Sequence, residues 1–394
     1  MKDNPSQTKP EYSAFHRYWM FDPEVTFLNH GAFGACPIPI LDAQYQFRQQ
    51  LEQQPFHFFV REYETLLDQA RQQLADFVGA NPEDLVFVPN ATTGINTVLR
   101  SLSFSEQDEL LTTNHEYNAC RNVLDFVATR TGAKIIIADI PFFITSSQQI
   151  IEAVMAKVSP RTKLVLIDHI TSQTGLIFPI QEIIQQLNHL GIDTLIDGAH
   201  APGMLALNLQ EIKATYYTGN CHKWLSAPKG AAFLAVQQDK QGLIRPLTIS
   251  HGANSTRSDR SRFLLEFDWT GTPDPSAYLS IPEAINFMGS LLPGGWTELI
   301  KTNHNLAVNA RKLLSEKLEI PLPCPDHLIG SMAVLPLGKR WQSFSDLNQK
   351  LWQEHKIEVP IMPWDDDNQP LIRISAQIYN HLSQYEYLAE VLLN

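Results

Sequence analysis

Two hydrophobic periods alternate along the chain. Between about 40 and 78, apolar residues recur at three- and four-residue steps (Leu66, Leu67, Ala70, Leu74, Phe77), which predicts helix. Asn81-Pro82-Glu83-Asp84 interrupts this pattern, and Leu85-Val86-Phe87-Val88 is an apolar run of strand length. Helical spacing returns with Ile95, Val98, Leu99 and Leu102. Lys134–Asp139, Leu164–Asp168, Thr194–Asp197 and Ala231–Val236 then read as short buried strands, with helical stretches such as Ile180–Leu190 between them. Strands alternating with helices build a mostly parallel sheet with helices on both faces, because a parallel crossover needs a helix-length connection. The predicted fold class is α/β. In such sheets ligands bind outside the carboxyl ends of the strands, so the residues just after each strand are the ones to read for chemistry.

Beyond about residue 275 the texture changes. Pro282–Leu291 and Leu306–Leu318 read as helices around a Pro293-Gly294-Gly295 break, and Val334-Leu335, Ile357–Val359 and Leu371–Ser375 are shorter strand candidates. This predicts a large unit over 22–275 and a smaller α+β C-terminal unit over 276–394, with residues 1–21 docking on the body through Tyr12, Phe15, Tyr18 and Trp19. A length of 394 residues agrees with two to three domains. There is no internal repeat, and Asp365-Asp366-Asp367 reads as a solvated loop.

With 44% hydrophobic and 18% charged residues, the chain can bury a sizeable core. A net charge of −12 without a basic run argues against nucleic acid or an anionic membrane as a general partner. Four cysteines with no CxxC pair give neither a disulfide scaffold nor zinc spacing, so no metal is expected. The polar N-terminus lacks the apolar core of a leader, and no apolar run approaches the roughly 20 residues of a membrane span. A soluble, cytoplasmic protein is the expectation.

Three features could carry chemistry. Asn90-Ala91-Thr92-Thr93-Gly94 follows a strand and opens a helix, where free N–H groups, the helix dipole and two hydroxyls suit a phosphate; the same residues also make an ordinary helix cap. Asp197 ends a strand in Asp197-Gly198-Ala199-His200, either reaching into the crevice or capping a turn. Lys223 stands between Asn220-Cys221-His222 and Trp224, either partly buried, which would lower its pKa, or as an ordinary surface lysine. A phosphate cradle, a strand-end acid and a lysine in this order are what pyridoxal 5′-phosphate requires: an anion site, an acid for the ring nitrogen and an amine for the aldehyde.

On these residues the chain resembles the class V aminotransferase family, which includes the cysteine desulfurases, and within it the isopenicillin N epimerase-like branch. The resembling motifs are Phe27–Gly34, Asn90–Gly94, Asn114–Tyr117, Asp168–Ser172, Asp197–His200, Asn220–Trp224, Thr270–Thr272 and Arg373–Ser375. The resemblance implies the type I fold of pyridoxal-phosphate enzymes and a homodimer. It implies that Lys223 bonds to the cofactor and moves the Cα proton, and that Asp197 pairs with the ring nitrogen. His200, where relatives often carry glutamine, would bond the ring 3′-oxygen with Ser172 nearby. His115 would stack on the ring, with Tyr117 as the alternative. Thr92, Thr93, Asn220 and His222 would hold the phosphate, and Thr272 would reach the neighbouring subunit's phosphate. Asn29 and Arg373 would bind the substrate. Arg373 alternates with Ile372 and Ile374 along a strand, and its planar fork matches a carboxylate.

An amino-acid-type substrate follows, with epimerisation, transamination and carbon–sulfur lysis all starting at the same Cα. Tyr117, Tyr217, His30 and Tyr379 are candidates for a proton donor on the second face. A desulfurase needs a mobile cysteine shortly before its carboxylate-binding arginine, and residues 325–372 contain none. Cys324, between two prolines, suits a stiff turn instead.

Overall fold

The computed structural model describes residues 10–338, 344–364 and 369–393, so the Asp365-Asp366-Asp367 run lies outside the described residues. In chain order the strands are β1 (Thr26–Phe27), β2 (Leu85–Val88), β3 (Glu109–Thr113), β4 (Lys134–Ala138), β5 (Thr162–Asp168), β6 (Asp193–Asp197), β7 (Tyr216–Asn220), β8 (Ala232–Val236), β9 (Met332–Pro336), β10 (Ile357–Glu358), β11 (Ile361–Trp364) and β12 (Gln369–Ser375). Seven form the central sheet in the order β2-β8-β7-β6-β5-β3-β4. Its pairs are parallel except those of β8, which runs against both β2 and β7.

Both faces of this sheet are covered, which is why most of its strands are apolar runs rather than alternating. Leu164 and Leu166 of β5 pack on one side with Ile95, Val98 and Leu99 of the helix Ala91–Ser101 and with Val123 and Leu124 of the helix Asn118–Thr131. Val165 and Ile167 face the opposite core with Leu67 and Leu74 of Tyr63–Val78 and Ile183 and Ile184 of Ile180–His189. β3 and β7 escape an apolar-run criterion because their Glu-Leu-Leu-Thr-Thr and Tyr-Tyr-Thr-Gly-Asn sequences are partly polar. Tertiary pairing makes them strands: Thr112 and Thr218 are fully buried, and Thr218 Oγ1 donates to Phe233 O at 2.7 Å. The helical period over 40–78 is also two helices, Ile38–Gln53 and Tyr63–Val78, separated at Gln54-Pro55 and by a π-helical turn over Phe58–Glu62.

β11, β12 and β9 form a small antiparallel sheet, with the 24-residue helix Gly295–Leu318 and the helix Leu382–Leu393 packed beside it. The N-terminal segment joins this part of the molecule. β1 pairs with β10, Ser375 N donates to Leu28 O at 2.9 Å, and the Trp19 ring meets Tyr379 at 4.9 Å. Chain ends far apart in sequence thus meet beside the carboxyl ends of the central strands. No described helix is long and apolar enough to cross a membrane.

Candidate active site

Four strand ends converge. Asp168 and Asp197 close β5 and β6 as paired neighbours in the β5–β6 register, Asn220 closes β7, and Asn90 follows β2. Asp197 is buried, accepting from Ala199 N at 2.9 Å and from the Cys120 thiol at 3.2 Å. No cationic side chain is ion-paired with it among the described residues. Glu116 and Asp168 lie in the same buried group, and polar atoms of Glu116, Cys120 and Asp197 come within 4.8 Å of one another. Burial raises all three carboxyl pKa values; burial and then Asp197 push Glu116 up to about 8. Asp168 Oδ2 has no hydrogen-bond partner among the described residues. Glu116 and Asp168 lie inside motifs legible in the sequence, but nothing in their spacing shows that they share a pocket with Asp197.

Lys223 lies three residues past β7, half-buried as a residue but with its amine deep in the cleft. Burial, and then the Arg373 guanidinium, lower its pKa to about 8. Its Nζ is 3.2 Å from His200 Nε2, and its carbonyl meets His30 Nε2 at 3.0 Å. The 30–36 turn packs on this backbone so closely that a Cβ at Gly34 would sit 2.1 Å from His222 O, and Gly34 has φ +69°. Only glycine fits there.

At the phosphate-cradle candidate, Asn90 caps the helix Ala91–Ser101 by accepting from Thr93 N at 2.8 Å. Thr92 and Thr93 remain partly exposed at its mouth. Asn220 Oδ1 accepts from Ala91 N at 2.8 Å, which ties β7 to the same helix start. His222 Nδ1 is 2.8 Å from Ala231 O, so that ring nitrogen carries the proton, and burial lowers its pKa to about 4. Thr272 is exposed on a loop next to Gly271.

Arg373 is 5% exposed in the middle of β12. One Nη donates to Ser172 O, Nε has no partner, and no carboxylate among the described residues pairs with it. Burial lowers its pKa to about 10. Asn29 is buried next to this strand; its Nδ2 donates to Glu358 Oε1 at 3.2 Å and its Oδ1 is unpartnered.

The aromatic candidates separate cleanly. His115 is 1% exposed, with Nδ1 at 2.8 Å from Thr174 Oγ1, Nε2 at 3.2 Å from Ile140 O and its ring centroid 4.7 Å from that of Trp364. Tyr117 is 45% exposed and close enough to Arg373 to act on its charge. Three of the four second-face candidates are likewise buried. Tyr379 and His30 bond each other at 2.9 Å behind the Lys223 backbone, and Tyr217 bonds His169 at 2.8 Å, all of them buried. The thiols offer no nucleophile: Cys120, Cys221 and Cys324 are buried, burial raises all four pKa values, and Cys324 accepts from Arg311.

The family described as aminotransferase class V matches residues 27–359. An isopenicillin N epimerase of Amycolatopsis lactamdurans is 33% identical over 385 residues, covering 94% of this chain and 95% of that protein. A probable chloroplastic L-cysteine desulfhydrase of Arabidopsis thaliana is 29% identical over 397 residues, covering 94% and 83%. Among solved structures, the cystine C–S lyase C-DES in complex with its product cysteine persulfide superposes with a TM-score of 0.82 at 21% identity, covering 94% of this chain and 98% of that one, which shows a shared fold. A variant of that lyase carries glycine covalently linked to its pyridoxal-phosphate cofactor. From the extent of the family match and the near-complete coverage of these relatives, the chain belongs to the class V aminotransferase family of enzymes.

Proposed function

We propose that this protein is a pyridoxal-phosphate-dependent enzyme acting at the Cα of an L-amino acid or amino-acid-derived substrate, with epimerisation as its reaction. One observation carries the cofactor and substrate class. A lysine amine near pKa 8 meets, at the strand ends, a buried acid and a buried guanidinium that among the described residues have no cationic and no carboxylate partner respectively. Uncompensated buried charges of both signs are costly, and a zwitterionic substrate with a protonated cofactor ring supplies what each lacks.

Bound there, pyridoxal phosphate supplies an aldehyde for the substrate amine and a sink for the electron pair left at Cα. Asp197 holds a proton on the ring nitrogen. Thr92, Thr93 and the helix start Ala91–Ser101 take the phosphate. His222 Nε2, unprotonated in the protein alone, takes up a proton beside that dianion, with Asn220 bracing the helix start. Lys223, about half of it neutral at pH 8, accepts the Cα proton. Arg373 grips the α-carboxylate with Ser172 O fixing one arm of its fork, and Asn29 bounds the same wall. Tyr117, rather than His115, is the ring-facing aromatic and the second-face donor, because it alone of the candidates is open.

A homodimer belongs to the same reading. Arg48 pairs with Asp274 at 2.7 Å and Gln44 bonds Ser276 at 3.2 Å, so the helix carrying exposed Tyr45 shares one surface with the Thr272 loop. Closing that surface against a second copy would bring Thr272 toward the partner's phosphate.

Proton NMR of an amino-acid panel in heavy water tests the reading, with cofactor absorbance recorded in parallel. Cα–H exchange that requires Lys223, with accumulation of the D-isomer, is the expected result. A Lys223→Ala protein that still bonds the cofactor covalently overturns it. Carbon–sulfur lysis is the second reading, favoured by the desulfhydrase similarity and the need for no thiol; pyruvate and ammonia from cysteine or cystine would establish it instead.

A further inference from the structure

Trp224, the residue after Lys223, is fully buried, and its indole Nε1 donates to His200 Nδ1 at 3.3 Å. Resting on the cofactor reading above, we infer that Trp224 is a positioning residue that locks His200 as the Nε2-protonated tautomer, so that His200 presents a donor to the Lys223 amine and to the cofactor oxygen beside it.

An indole N–H can only donate, so Nδ1 of His200 must be the accepting nitrogen. A neutral imidazole then carries its proton on Nε2, the atom 3.2 Å from Lys223 Nζ. His200 is buried and held well below the usual histidine range by burial, then by the charges of Lys223 and Arg373, so it stays neutral. Nζ can accept that proton only as a neutral amine. An ammonium would need Nε2 as its acceptor, which puts the ring proton on Nδ1 and sets two donors against each other at the indole. Trp224 therefore favours, through His200, the nucleophilic form of the lysine.

Local packing keeps the three groups in line. The His30 and Trp224 ring centroids are 4.8 Å apart, and a Cβ at Gly203 (φ +86°) would lie 2.5 Å from Leu225 N, so the turn carrying His200 abuts the Trp224 backbone directly. A glutamine in place of His200 would donate through an amide that has no tautomer. The histidine needs an orienting partner, and Trp224 supplies it.

Trp224→Phe, His200→Gln and the double variant test this as a cycle in the holoenzyme. Arg373, Asp197, Asp168, Cys120 and His30, the other titratable groups acting on Lys223 or His200, are unchanged throughout. Trp224→Phe alone is expected to raise the pH midpoint of the Lys223–cofactor chromophore by about one unit, the net worth of one hydrogen bond. In the His200→Gln background the same change is expected to have no effect on the midpoint. An equal shift in both backgrounds, or none in either, overturns the inference and leaves Trp224 a packing residue. If Trp224→Phe does not fold, nitrogen-15 NMR of the wild-type ring decides, assigned by the signal lost in His200→Gln. Nε2 protonation is expected, and Nδ1 protonation refutes. A protein that forms no chromophore with pyridoxal phosphate fails the functional reading, while the NMR result still decides the tautomer.

Discussion

Replacing Arg373 with methionine should make the ligand-free protein more stable and the enzyme worse. Burial lowers the Arg373 guanidinium from its ordinary value to about 10. At 1.36 kcal/mol per unit, a fall of about 2.5 units means the charged form costs about 3 kcal/mol. Arg373→Met removes that cost, keeps most of the volume and strands the Ser172 carbonyl, which returns about 1 kcal/mol. The net expectation is a gain of about 2 kcal/mol, within the range seen when apolar residues replace buried charges. Urea unfolding of the cofactor-free protein measures it. The same change removes a charge-assisted fork worth about 2–4 kcal/mol to a carboxylate, so KM for the amino acid should rise by roughly 30- to 1,000-fold. Loss of the Arg373 charge also lets the Lys223 pKa rise above about 8, which the pH dependence of chromophore formation reads. A variant less stable than wild type by more than about 1 kcal/mol, or one with unchanged KM, would show that Arg373 is a satisfied structural residue and would remove the carboxylate site.

Three further expectations follow from other parts of the site. Glu116, pushed up to about 8, is ionised in the unfolded chain above about pH 4.5 but mostly protonated when folded; its burial therefore costs most at high pH and least near pH 5. Glu116→Gln should thus stabilise the protein more at pH 8 than at pH 5 in urea melts, and an equal change at both would contradict the assignment. Gly34→Ala adds a Cβ at 2.1 Å from His222 O on a left-handed backbone, so it should cost several kcal/mol or displace the Lys223 loop, read as a lowered Tm together with lost chromophore. His115→Phe should lower stability by about 1–3 kcal/mol through its two lost hydrogen bonds while cofactor affinity changes little, whereas Tyr117→Ala should leave Tm near wild type and weaken the cofactor; the opposite pattern would return the ring-facing role to His115.

Much was legible in the chain, for reasons that are local. Val165 and Ile167 beside Leu164 and Leu166 announce a strand buried on both sides, and that pattern with intervening helices admits few folds. Lys223 stood out by its neighbours Asn220-Cys221-His222 and Trp224, and Asn90 and Asp197 were marked by following strands, since a strand end fixes where the next side chain points. β3 and β7 were not, because buried threonines and a glycine become strand residues only when neighbours accept their hydrogen bonds. Among Asn114–Tyr117, residue order alone gives no direction: His115 turns toward Ile140 and Trp364, while Tyr117, two residues on, faces out.

The sequence by itself determined the alternation of strand and helix, the strand-end chemistry and the family, because each resides in short-range pattern and in residue types at fixed spacing. Only the tertiary structure decided which polar groups share a pocket and in what charge state. Asp168, Glu116 and Asp197 lie 52 and 29 residues apart along the chain (168 − 116 and 197 − 168) but crowd into one desolvated volume, and burial there sets their protonation. The pairing of His30 with Tyr379, the tautomer imposed on His200 by Trp224 and the Arg373 guanidinium left without a carboxylate among the described residues are likewise properties of distance and desolvation, which arise only when the chain ends and the strand ends meet.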